Sequence, residues 1–215
     1  MCGERPAPEV KICGLTRPTD AAEAVRLGAR YLGVVFAGGP RRVDADVARA
    51  VVSAAQAVPV FGVFGSQSGD EILQLRDAAG LSGAQLHEGG SPELITRLRR
   101  EGMQVLPVVH LTGEADLFLL DHDAPAGLPV LIEPRVAGQL GGSGVALPLE
   151  LATLARSRLG TRRMFLAGGL TPATVRAAVV VVRPDVVDVS SGVEQIPGIK
   201  DHGRMARFME AVVWG

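Results

Sequence analysis

The sequence predicts an α/β fold, a compact single-domain (β/α)8 barrel over residues 10–215, from three observations. Eight short apolar runs rich in β-branched residues recur with starts 21 to 34 residues apart, which leaves room for one helix and two short loops each time. Between the runs, apolar residues follow helical spacing. The runs themselves are continuously aliphatic rather than alternating, as parallel strands buried on both faces must be. Right-handed crossovers then close the eight units into a barrel, smaller than the usual size of about 250 residues.

In order, the first strand is VKICGL at 10–15, followed by DAAEAVRLGA, in which Ala22, Ala24, Val25 and Leu27 follow helical spacing. YLGVVFA at 31–37 leads through FAGGPRRV into the helical DVARAVVSAAQAV, and PVFGVF at 59–64 and GAQLH at 83–87 give strands three and four. The fourth helix ends in RLRR at 97–100, where cations meet the negative end of the helix dipole, a simpler reading than a phosphate-backbone contact. QVLPVVHL at 104–111 is strand five. TGEADLFLLDHDAPAG then allows only about three helical turns before PVLIEP at 129–134, RMFLAGG at 163–169 and DVVDVSS at 185–191 complete the set. An open doubly wound sheet is the structural alternative, but it needs a fingerprint glycine loop after strand one, and CGLTRPTD is not one.

Composition narrows the function classes. A net charge of −1 with dispersed Lys and Arg carries no nucleic-acid footprint. Two cysteines, Cys2 and Cys13, make no disulfide framework, and the leader MCGERPAPE (1–9) reads as disordered, without the apolar stretch of a secretory signal. No run is long and uncharged enough for a bilayer, so a cytoplasmic protein is expected, with no membrane or nucleic-acid partner.

Barrel ligands meet the C-terminal ends of the strands. Here those ends hold Lys11 and Cys13 (strand one), Gln85 and His87 (strand four) and Glu133 (strand six), then AGGLTP after strand seven and SSGVE after strand eight. Gly168 and Gly169 allow backbone N–H groups to approach an anion, and Ser190, Ser191 and Gly192 supply further donors. Together they suggest a phosphate site, though either loop alone reads equally as turn and cap residues. Cys13 is either a small buried hydrophobe or an accessible thiol, whose unperturbed pKa of about 8.5 a neighbouring cation or helix N-terminus can lower.

The segments KICGLT, PVFGVF, AQLH, GGSG, LAGGLTP and DVSSGVEQIPGIKD together resemble the phosphoribosylanthranilate isomerase family of tryptophan biosynthesis, over roughly residues 10 to 213. The resemblance implies an Amadori rearrangement of N-(5-phosphoribosyl)anthranilate without cofactor or metal, on a small phosphorylated substrate, by a monomer or homodimer. It assigns the general base to Cys13 and phosphate binding to Gly168, Gly169, Ser190, Ser191 and Gly192. It further implies that Arg41, with Arg42 as its rival, faces the anthranilate carboxylate, and that Asp188 and His87 lie beside the substrate. Asp188 reads equally as a strand residue satisfied by backbone donors, and His87 as a structural histidine. His110, His122 and His202 have no partner spacing for a metal and are expected to be structural.

The family's acid is normally an aspartate in a segment like LLLDS, about ten residues before a GGTG or GGSG loop. Asp121 in FLLDH has the local letters, but 20 residues separate it from Gly141, against 8 from Glu133. Spacing therefore selects Glu133 as general acid, an aspartate-to-glutamate replacement with a longer arm. The competing expectations are a degenerate phosphate-binding barrel without turnover and the aminoaldose isomerase of histidine biosynthesis. The latter uses paired aspartates where this chain has Cys13.

Overall fold

The computed structural model of the chain describes residues 6–88, 90–135 and 145–213. The GGSG loop at 141–144 and Cys2 lie outside the described residues. Eight parallel strands form a closed barrel in chain order: β1 Glu9–Ile12, β2 Tyr31–Val35, β3 Val60–Phe64, β4 Gly83–Leu86, β5 Gln104–Leu111, β6 Val130–Pro134, β7 Met164–Leu166 and β8 Val186–Val189. The circle closes where β1 pairs with β8, with Lys11 opposite Asp188. Glu9, assigned to the leader from the sequence, is instead the first residue of β1 and lies opposite Val186.

Eight helices cover the barrel: α1 Pro18–Arg26, α2 Ala45–Ala54, α3 Gly69–Ala79, α4 Pro92–Arg100, α5 Leu119–His122, α6 Leu149–Leu159, α7 Val175–Val182 and α8 His202–Val213. Their starts are written in the sequence. Asp44 caps α2 at the Val47 N–H, Ser68 and Glu71 form a reciprocal capping box on α3, and Ser91 caps α4 at Leu94. The fifth helix is shorter than the three turns expected: α5 is a single turn preceded by a 3-10 helix at Glu114–Phe118. One addition was not foreseen, a small hairpin after β8 made of β9 Glu194–Ile196 and β10 Ile199–Lys200.

Side chains alternate across a strand, so every second residue points into the barrel. The inner floor is aromatic and aliphatic: Phe61, Leu106, Leu131, Phe165 and Val186 pack together, and the Tyr31 ring meets Phe165 and Phe61 edge-on at 5.3 and 6.0 Å. Two positions further along the strands, the apolar sequence gives way to Lys11, Gln85, Glu133 and Asp188, all buried. The hydrophobic floor thus keeps water out from below, and the charged layer above it is where the chemistry sits.

Candidate active site

Lys11 is wholly buried. Its ammonium donates to Asp188 Oδ2 and to Gln85 Oε1, each at 2.8 Å, which ties β1 to β8 and spans the barrel to β4. Burial works against that charge, but Asp188 and the neighbouring Cys13 sulfur outweigh it and raise the lysine's pKa. Cys13 follows β1 directly and is 8% exposed. The cation that the sequence suggested is present, yet burial dominates: the thiol's pKa is raised, with Lys11 and Lys200 opposing and Asp188 adding to the rise. The expected lowering is corrected on that ground.

Glu133 sits in β6 at 7% exposure. Burial, with the negative charge of Asp188 and against that of Lys11, lifts its pKa to about 8, so the carboxyl is largely protonated at neutral pH. Its Oε1 lies 3.2 Å from His87 Nε2 and 3.3 Å from His110 Nδ1. His87 follows β4, and burial, helped by His110 and Lys11, pulls its pKa down to about 4, which leaves the imidazole neutral. His110, expected to be structural without partners, is opposite Glu133 in the β5–β6 register, and its ring meets His87 edge-on at 4.8 Å. These three residues are the group among those described whose composition could hold a metal ion. The competing acid Asp121 is on α5, its side chain 59% exposed and paired with Arg158 of α6 at 2.7 Å, outside the barrel.

The two glycine-bearing loops meet. Gly168 and Gly169, just beyond β7, both have positive φ, and Gly192 lies so close to the Leu170 carbonyl that a Cβ there would collide with it. Ser190 follows β8, and Ser191 and Gly192 lie in a 3-10 turn, Ser191–Val193, directly after it. The structure therefore gathers all five residues expected to bind phosphate at one side of the mouth.

Arg41 is partly buried and Arg42 is exposed. The guanidinium of Arg41 is already engaged: Nε and Nη2 donate to the Glu194 carboxylate at 2.9 and 2.7 Å. The same carboxylate accepts from Lys200 Nζ at 2.8 Å, and Lys200 also donates to the Ser190 carbonyl at 3.1 Å. Sequence reasoning missed Glu194 and Lys200, although both lie in the motif SSGVEQIPGIKD. The hairpin of β9 and β10 folds them back toward Cys13, and only that return reveals their place.

A groove of about 620 Å³ lies elsewhere, at the opposite end of the barrel between the start of β1, the turn after α1 and α8, and none of these groups lines it.

Comparison with known proteins agrees with this architecture. The family model described as N-(5'-phosphoribosyl)anthranilate (PRA) isomerase matches residues 10–211. The N-(5'-phosphoribosyl)anthranilate isomerase of Halorhodospira halophila is 39% identical over 208 residues, covering 96% of this chain and 97% of that one. The crystal structure of phosphoribosyl anthranilate isomerase from Thermotoga maritima is similar at a TM-score of 0.85 and 33% identity, covering 95% of this chain and 98% of that one. A phosphoribosyl anthranilate isomerase solved in complex with reduced 1-(o-carboxyphenylamino)-1-deoxyribulose 5-phosphate gives a TM-score of 0.82 at 32% identity, with the same coverage. Over nearly its whole length, in sequence and in backbone, this chain belongs to the N-(5'-phosphoribosyl)anthranilate isomerase family.

Proposed function

We propose that the chain carries out its family's Amadori rearrangement, the isomerisation of N-(5-phosphoribosyl)anthranilate in tryptophan biosynthesis, with Glu133 as general acid and Cys13 as general base. The observation that carries the assignment is a buried carboxyl near the end of β6, its pKa raised by burial, that faces into the same barrel mouth as the buried Cys13 just beyond Lys11. Glu133 donates its proton to the ribose ring oxygen, the C1–O bond breaks, and the nitrogen lone pair forms the C1=N bond of the Schiff base. Cys13 then takes the proton from carbon 2, and the C–H electrons form C1=C2 while the iminium π pair returns to nitrogen. The enol so formed tautomerises to the ketone. The thiol must ionise before the second step, and the Lys11 and Lys200 ammonium groups are the charges that favour its thiolate.

The remaining residues hold the substrate. The loops with Gly168, Gly169, Ser190, Ser191 and Gly192 cradle the phosphate through backbone and hydroxyl donors. Arg41, fixed on one edge by Glu194, offers the substrate carboxylate its other edge. His87 and Asp188 flank the reacting sugar. The barrel acts as one domain on a small phosphorylated substrate, as a monomer or homodimer in the cytoplasm; among the described residues no helix is long and apolar enough to cross a membrane.

Turnover is followed by loss of the substrate's anthranilate fluorescence, and in cells by rescue of a tryptophan auxotroph. Cys13→Ala and Glu133→Gln should each lose at least about 10²-fold in kcat, and Asp121→Asn should keep the parent rate. Full activity in Glu133→Gln with loss in Asp121→Asn would reverse the assignment of the acid. Phosphate binding without any turnover in the parent chain would make it a binding barrel.

A further inference from the structure

We propose that His87, His110 and Glu133 form a binding site for a divalent transition-metal ion of the zinc class, and that an ion held there inhibits the isomerase. The three residues come from adjacent strands, just after β4, in β5 and in β6, and the period-2 alternation turns all of them into the barrel mouth. Their ligand atoms lie within 4.8 Å of one another. A tetrahedral zinc ion with bonds of about 2.0–2.1 Å separates its ligands by roughly 3.3 Å. Two of the three edges already have that length, since Glu133 Oε1 is 3.2 Å from one imidazole nitrogen and 3.3 Å from the other. The third edge, between the rings, is at most 4.8 Å.

The hydrogen bonds set the electronic state of the ligands. His110 Nε2 lies 2.7 Å from the His87 carbonyl oxygen, and because a carbonyl only accepts, Nε2 carries the hydrogen and Nδ1 turns its lone pair toward Glu133. A backbone carbonyl behind the ring is the outer support that metal-bound histidines have. His87 is buried, and neither of its ring nitrogens has a hydrogen-bond partner among the described residues; nor does Glu133 Oε1. An unpartnered imidazole nitrogen thus lies 3.2 Å from an unpartnered carboxyl oxygen. Two imidazoles and one carboxylate suit zinc and its neighbours, whereas calcium and magnesium require oxygen ligands throughout.

Three protein ligands leave a fourth position open toward the mouth, where water or a substrate atom completes the tetrahedron. Inhibition rests on the proposed role of Glu133: an ion on Oε1 occupies the place of the proton that the acid delivers. Binding of the ion does not depend on that role.

The test uses the full chain, stripped with EDTA and titrated with Co2+, whose tetrahedral complexes absorb visibly. The expected result is absorbance that saturates at one equivalent, is displaced by Zn2+, and is lost in His110→Phe and in the isosteric Glu133→Gln, while the exposed-site control His122→Ala keeps it. Zn2+ should abolish turnover and EDTA restore it, and His110→Phe should need at least about tenfold more Zn2+ for half-inhibition. No saturable absorbance, a sulfur-to-cobalt charge-transfer band that marks Cys13 as ligand, or an unchanged spectrum in His110→Phe each overturns the site. One-equivalent, His110-dependent binding with undiminished turnover leaves the site standing, and overturns both inhibition and Glu133 as the acid.

Discussion

Shortening Glu133 to aspartate, the residue its family normally carries, should impair this enzyme rather than improve it. The change withdraws the carboxyl by one C–C bond, about 1.5 Å. The backbone cannot follow, because Glu133 is opposite His110 in the β5–β6 register and the preceding Ile132 is held opposite Leu166 of β7. Contacts now at 3.2 and 3.3 Å therefore open to about 4.5 Å or more, and the acidic proton retreats from the sugar by a similar distance. A misplacement of about 1 Å at a reacting group costs on the order of 10² in rate, or about 2.7 kcal/mol of transition-state stabilisation. Saturating fluorescence assays should show kcat reduced roughly 100-fold in Glu133→Asp with little change in KM, and urea unfolding should place its stability within about 1 kcal/mol of the parent. A folded Glu133→Asp with the parent kcat would refute the idea that this site is fitted to the longer arm.

Lys11→Met strands the buried Asp188 and Gln85 without their donor, and urea unfolding should show about 3–5 kcal/mol of lost stability; a loss under about 1 kcal/mol would mean the ion pair does not hold the barrel closed. Burial works to raise the pKa of Asp20, but hydrogen bonds from Arg17, His202 and the Lys200 N–H together outweigh it and leave the pKa depressed. Its folded pKa lies below its unfolded value of about 3.9, so its contribution is present above that value and fades as the pH falls through the folded pKa. The parent's lead over Asp20→Asn in urea midpoint should therefore shrink between pH 7 and pH 3, and a constant gap would contradict the linkage. Gly192→Ala forces a methyl against the Leu170 carbonyl and pries the two anion loops apart. An overpacking cost of about 1–3 kcal/mol should raise KM, and the inhibition constant of inorganic phosphate, about tenfold or more; unchanged values would take the phosphate away from these loops.

The barrel was legible because its evidence is local and repeated: continuous aliphatic strands, helical spacing between them, and strand ends that name their own chemistry. The reading of Glu133 as the acid rests on a different signal, its distance in sequence to the glycine loop; its rival Asp121 lies exposed on α5. His110 was not, since 23 residues separate it from His87 and the same number from Glu133. Its contacts follow from strand adjacency combined with inward alternation, and counting Leu106, Val108, His110 along β5 would have exposed it. The engagement of Arg41 by Glu194 depends on a two-strand hairpin too short for pattern recognition. The sign of the Cys13 shift was hidden as well: a sequence shows a cation nearby, but only packing shows how much water has been removed.

The bond between Lys11 and Asp188 joins residues 177 positions apart, the first strand of the barrel to its eighth. During synthesis the lysine leaves the ribosome long before its partner is made, at roughly 5–20 residues per second. Until β8 arrives, no neighbour on that side exists to neutralise the cation, and the wall of the barrel cannot form. The element that closes the ring also brings Asp188 beside Lys11 and Cys13, so an unfinished chain has neither a sealed interior nor a complete site. The barrel wall thus closes with β8, and the site is completed only when the hairpin of β9 and β10 that follows brings Glu194 to Arg41 and Lys200 to Glu194.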